Sequence, residues 1–175
     1  GRYNPASVAT TATADGDQII LNGTKIAVEN GPNADTLLVS ARESGEIRDV
    51  EGISVFAVEA GLPGVKIRKY RTVDGKQAAE VTLDHVSVAA SNRLGDAGAA
   101  LPGIESALNR SIVAVSAEAV GALEVLLQKT VEYRKTRKQF GTAIGTFQAL
   151  QHRMADMFIQ CQLARSIVIM AAMSL

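Results

Sequence analysis

The hydrophobic period of this chain changes once, near residue 97, and that change constrains the fold more than any single motif. Before it, short apolar runs with a period of two alternate with turn dipeptides. The runs at 7–14, 18–22, 36–41, 53–59, 65–71, 78–83 and 86–89 read as strands. Asp15-Gly16, Asn22-Gly23, Gly31-Pro32, Pro63-Gly64 and Asp74-Gly75 read as the turns between them. Many short strands at such spacing predict an antiparallel sandwich or barrel. From about residue 99 the apolar positions fall at 108, 112, 115, 119, 122, 123 and 126, a helical stripe. It predicts a helix over 104–133, about 40 Å long. A polar break over 134–145 follows. A second long helix then starts near Thr146, with Phe147, Leu150, Met154, Phe158, Cys161 and Val168 on one face. Gly121 inside the first helix predicts a second backbone packed closely there, since it costs about 1 kcal/mol against Ala. The expected fold class is α+β, with a β domain over 1–97 and a helical domain over 98–175.

Composition narrows the function. The 175 residues carry 18 basic and 18 acidic side chains, so no general basic surface for nucleic acid or an anionic membrane is expected. One cysteine, Cys161, excludes an internal disulfide framework and fits a reducing, cytoplasmic setting. Charged residues and Gln interrupt the apolar runs, which predicts no membrane span. The first residue is not Met, and the last residues lie in an apolar helical pattern without a cap, so both ends read as cut. No His, Cys or carboxylate cluster has metal-ligand spacing, and no phosphate-loop pattern occurs.

The stretch with most chemistry in it is Tyr133-Arg-Lys-Thr-Arg-Lys-Gln-Phe-Gly141, followed by Ile144-Gly-Thr-Phe-Gln148. Arg134, Lys135, Arg137 and Lys138 cluster between the two helices. Cations there offset the helix macrodipole by about 0.3–1 kcal/mol each. They equally suit an anion held by guanidinium groups and turn amides. Spacing alone leaves both open.

Tyr133, Arg137, Gln139, Phe140, Gly141, Ile144, Phe147 and Gln148, with Ala155-Asp156-Met157 beyond, follow a signature of the acyl-CoA dehydrogenase family. Leu21-Asn-Gly-Thr-Lys25, Asn30-Gly-x-x-Ala-Asp35, Pro63-Gly-Val65 and Leu94-Gly95 resemble its middle domain. The chain is similar throughout to that domain and the first two helices of the four-helix-bundle domain after it. Arg134–Gly141 and Phe147-Gln-Ala-Leu-Gln-His152 resemble the small subunits of pimeloyl-CoA dehydrogenase-type enzymes most. The resemblance implies FAD-dependent α,β-dehydrogenation of an acyl-CoA thioester to a trans-2-enoyl-CoA, with reoxidation by an electron-transfer flavoprotein. Arg137 and Gln139 are implied to hold the FAD pyrophosphate, with Phe140 beside the adenosine end and Phe147 and Gln148 completing the pocket. These groups are implied to serve a neighbouring subunit's flavin. The implied assembly is a homodimer or tetramer, or a heteromer with a large acyl-CoA dehydrogenase subunit.

Departures qualify this. Where the family has Trp-Ile-Thr/Ser against the flavin ring, this chain has Ala27, Val28 and Glu29. A carboxylate there disfavours an anionic reduced flavin, and it motivates a second reading as a non-catalytic partner subunit lending groups to another FAD site. The family's catalytic Glu on the first helix aligns with Ser111, which is no base. Glu105 and Glu118 are off register, and the other known location lies after Leu175. The expected catalytic set in this chain is therefore empty, and the chain alone is expected to be inactive. Arg110 is off the family's CoA-side pattern and reads as a salt-bridge partner. His85 and His152 read as structural or solvated. Gly1-Arg2 resembles the end of the family's flavin-contacting loop.

Overall fold

A computed structural model describes residues 3–175; the reading of Gly1-Arg2 lies outside them. The chain divides into two compact units, Gly1–Glu105 and Ser106–Leu175. The first is a seven-stranded sheet of order β5-β6-β2-β1-β3-β4-β7. Its strands are β1 (Thr11–Asp15), β2 (Gln18–Glu29), β3 (Thr36–Arg42), β4 (Ile53–Glu59), β5 (Val65–Arg71), β6 (Gln77–Ala89) and β7 (Arg93–Leu94). The pairings are antiparallel except one, Thr11 beside Arg42 between β1 and β3. The strand period buries one face of β1–β4 and β6: Leu21, Leu37, Val39, Phe56, Val58, Val81, Val86 and their neighbours form the core, with Val65 and Ile67 of β5 partly buried against it. Each such side chain contributes about 1.5–3 kcal/mol on burial.

Two expected breaks are bulges inside continuous strands. Asn22-Gly23 was expected to turn the chain, yet β2 runs straight through it with a register shift between Leu21 and Gly23. Gly23 takes φ 148°, and a Cβ there would sit 2.8 Å from the Thr10 Cα, so the site requires glycine for close approach. The expected strands 78–83 and 86–89 are one strand, β6, bulged opposite at His85 (φ 51°). The His85 amide, displaced from the ladder, donates to Asn22 Oδ1 at 2.8 Å. A second bulge lies between Lys25 and Val28, with Ala27 left-handed at φ 54°. The run expected from residue 7 is strand only from Thr11. Ala6 and Val8 instead pack with Ile53 and Leu101 in a smaller cluster.

The second unit is helical. Helix α1 (Leu101–Thr136) has Pro102 in its first turn, where the missing N–H is harmless, and Arg134 and Lys135 in its last. At 36 residues it is about 54 Å long, more than expected. A short hairpin of β8 (Lys138–Gln139) and β9 (Thr142–Ala143) and a 3₁₀ turn (Ile144–Thr146) lead into α2 (Gln148–Met173). No described atom lies within 4 Å of a Cβ built on Gly121, so the close backbone expected there is not found among the described residues. Arg110 makes no salt bridge among them either; the helix-to-helix ion pair is Arg165 with Glu124 at 3.3 Å. Both helices are long and apolar enough to cross a membrane by length and composition alone, a criterion that core helices of soluble proteins also meet. Met154 and Cys161 are the buried apolar positions of α2, while Ile112, Val115, Phe158 and Ile167 are more than half exposed.

Candidate functional site

The break between the helices is a built structure. Phe140 and Gly141 both take positive φ, 54° and 80°, and close a two-residue hairpin turn of the I′ kind. Sequence reading missed this hairpin, although an X-Gly pair between two extended dipeptides is its signal. Gly145 lets the end of α1 approach, because a Cβ there would meet the Arg134 carbonyl oxygen at 3.1 Å. Arg134 Nη1 and Gln151 Nε2 both donate to the Gly145 carbonyl, at 3.2 and 2.9 Å. The Ile144 amide donates to the Arg137 carbonyl at 2.9 Å. α1, the hairpin and the start of α2 are thus fixed to one another.

This frame sorts the four clustered cations. Arg134 is spent on Gly145, although its Nε is buried with no acceptor. Lys135 pairs with Glu132 at 2.7 Å. The side chains of Arg137 and Lys138 have no acceptor among the described residues, and both are exposed. Gln139 bonds only the adjacent Lys138 carbonyl, at 2.9 Å. Phe140 stands at the hairpin tip with 93% of its surface exposed and packs edge to face on Phe147, the residue immediately before α2. Gln148 opens α2, exposed and without a side-chain partner among the described residues. The arrangement presents a guanidinium without an internal acceptor, two exposed amide side chains and an exposed aromatic ring. Those are the donors and the apolar face that an aromatic nucleotide diphosphate needs.

Ala27, Val28 and Glu29 lie in the first unit, where the second bulge redirects β2. Ala27 is left-handed and exposed, and the Glu29 carboxylate is exposed without a partner among the described residues. Val28 and Glu29 line a cleft of about 210 Å³ with Lys25, Ala34, Thr36 and Leu38. Burial there lowers the Lys25 ammonium to a pKa of about 8. Ser111 donates to the Ala107 carbonyl at 2.8 Å within α1, and Glu105 and Glu118 have no partner among the described residues. No group of three or more metal-ligating side chains occurs among them.

Two family models match this sequence: the acyl-CoA dehydrogenase middle domain over residues 1–86 and the acyl-CoA dehydrogenase C-terminal domain over residues 101–175. The chain belongs to the acyl-CoA dehydrogenase family. It is 35% identical to the probable acyl-CoA dehydrogenase YngJ of Bacillus subtilis over 93% of its own length and 44% of that protein's. Among solved structures it is similar to butyryl-CoA dehydrogenase from Megasphaera elsdenii, with 32% identity and a TM-score of 0.84 over 96% of this chain and 46% of that one. It is also similar to the prolyl acyl carrier protein oxidase AnaB, with 31% identity and a TM-score of 0.89 over 98% and 47%. The chain thus spans less than half the length of the relatives it matches.

Proposed function

We propose that this chain is the cofactor-gripping part of an FAD-dependent acyl-CoA dehydrogenase that converts an acyl-CoA thioester to its trans-2-enoyl product. One observation carries the reading: an exposed Phe140, held in a strained left-handed turn, near an Arg137 whose guanidinium has no partner among the described residues. A left-handed phenylalanine and a large ring kept in solvent each have a cost, and such costs persist where a ligand or partner recovers them, while the exposed Arg137 stays available to an anion. Arg137 and the Gln139 and Gln148 amides hold the diphosphate, and Phe140 with Phe147 covers the adenine end. These groups serve a flavin bound mainly by a second subunit. The exposed apolar faces of α1 and α2 are surfaces for other helices and subunits of that assembly rather than for lipid.

FAD, when bound, supplies the two-electron acceptor for the β-hydride. The residues of this chain bind and orient it. None of them is assigned as the base that removes the α-proton, since Ser111 lacks a suitable proton affinity and Glu105 and Glu118 are off register. The substrate is an acyl-CoA, and the expected electron acceptor is an electron-transfer flavoprotein. The test is the visible spectrum of the purified protein with and without Arg137→Ala. Flavin bands that weaken in the variant, together with enoyl-CoA formation by the wild-type assembly, support the reading. A colourless wild-type protein that cannot be loaded with FAD sinks it.

A further inference from the structure

The cleft at the second bulge of β2 holds a group that FAD binding leaves unexplained. Beyond Lys25 the β2–β6 register slips, β1 no longer lies between β2 and β3, and a gap opens between those two strands. Lys25 lines that gap with Val28, Leu37, Leu38, Val39 and Val81. Its Nζ has one partner among the described residues, the neutral hydroxyl of Ser40 at 3.1 Å. Glu29 is the only carboxylate lining the cleft, and it forms no ion pair with the amine. The other six lysines of the chain are exposed, and Lys66, Lys76 and Lys135 are paired with acids.

We propose that Lys25 is a site of direct N-acylation by acyl thioesters, with the apolar wall of the β2–β3 cleft taking a short acyl chain. The neutral amine attacks the thioester carbonyl carbon. The C–N bond forms, the C–S bond breaks, and the departing thiolate accepts the proton released from nitrogen. One thioester gives one amide and one free thiol, with no change of oxidation state and no added reagent. Burial favours the reactive form: with a pKa lowered to about 8, Lys25 carries roughly 300-fold more free amine near neutral pH than an ordinary lysine. The product is also better accommodated than the reactant, because a neutral amide replaces an ammonium without a counter-charge. The cellular source of thioester rests on the acyl-CoA reading above. The acylation chemistry itself does not, so the two are tested separately.

The experiment treats the purified protein with acetyl-CoA, and in parallel with the small thioester S-acetyl-N-acetylcysteamine, from pH 7 to 9.5. Peptide mass spectrometry follows each lysine. Acetylation of Lys25 is expected to be at least tenfold faster than that of Lys69 or Lys129 at pH 7.5 and to level off above about pH 8, while the exposed lysines continue to rise. Selective labelling by either thioester supports the site. Labelling of Lys25 no faster than of Lys69 and Lys129 by both reagents, or a pH profile parallel to theirs, overturns it, whatever the dehydrogenase assay shows.

Discussion

The rings of Phe140 and Phe147 meet edge to face, 6.2 Å between centroids and 78° between planes, across the β8–β9 hairpin. This contact contributes about 0.5–1.5 kcal/mol and opposes the strain of a left-handed phenylalanine. Phe140→Gly and Phe140→Ala lose the same ring, but only glycine relaxes the backbone. The glycine variant should therefore be the more stable of the two by about 1 kcal/mol in urea unfolding. Both should retain less FAD than wild type in a spectroscopic titration. Equal stability of the two variants would mean that the turn is unstrained.

Arg137 should separate binding from folding. Its guanidinium forms no intrachain hydrogen bond or ion pair among the described residues, so Arg137→Ala should shift unfolding by no more than about 0.5 kcal/mol. A charge-assisted bond to diphosphate contributes about 1.5–3 kcal/mol, so the Kd for FAD should rise roughly 10–100-fold. The wild-type advantage should shrink as salt is raised. Arg134→Ala should behave in the opposite way, costing stability first, because it removes the guanidinium that ties the end of α1 to the Gly145 carbonyl and leaves Gln151 as that oxygen's remaining side-chain donor.

The architecture was legible where one local pattern decides it. Strands β4 and β5 fall where alternation places them, and the switch to helix falls near residue 100, because an apolar period is a property of the segment itself. Asn22-Gly23 was misread because a hairpin turn and a bulge share the same dipeptide chemistry. What selects the bulge is the amide-to-Asn22 bond made 63 residues away. The cationic cluster was legible as a composition, but which cations are free was not. That depends on Gly145 admitting Arg134 and on Glu132 lying one turn before Lys135. The departure at Ala27, Val28 and Glu29 was visible as letters, yet its bulge and cleft depend on where β1 ends and on the partner strand β6.

Arg42 is a buried cation that forms no ion pair among the described residues. Its guanidinium donates instead to the carbonyls of Ala6, Val8, Ser44, Ile47, Asp49 and Glu51, at 2.9–3.3 Å. One side chain thus ties the entering segment to the loop between β3 and β4. Arg42→Met should cost at least about 3 kcal/mol, since several carbonyls lose their donors together. Arg42→Lys should recover only part of that, because an ammonium has three donors and no planar fork. Urea unfolding checks the energies. Limited proteolysis should show new cleavage within residues 43–52. Unchanged protease resistance in Arg42→Met would mean that the loop is held by something else.

Lys25 makes stability depend on alkaline pH in a definite direction. Burial lowers its folded-state pKa from 10.5 to about 8, so in this window the unfolded chain binds the proton more tightly. Its contribution to stability therefore rises with pH between about 8 and 10.5, and the full cost of the buried ammonium is present below 8. Replacing it by the uncharged, similarly long methionine removes that cost. Lys25→Met should be more stable than wild type at pH 7 by on the order of 2 kcal/mol. The gap should close as pH approaches 10.5. Glu29 lines the same cleft, so the series should be repeated in a Glu29→Gln background, where the gap should persist, since burial rather than a carboxylate sets the shift. A gap that stays constant from pH 7 to 10 would mean that the amine is as well solvated in the folded protein as in the unfolded chain.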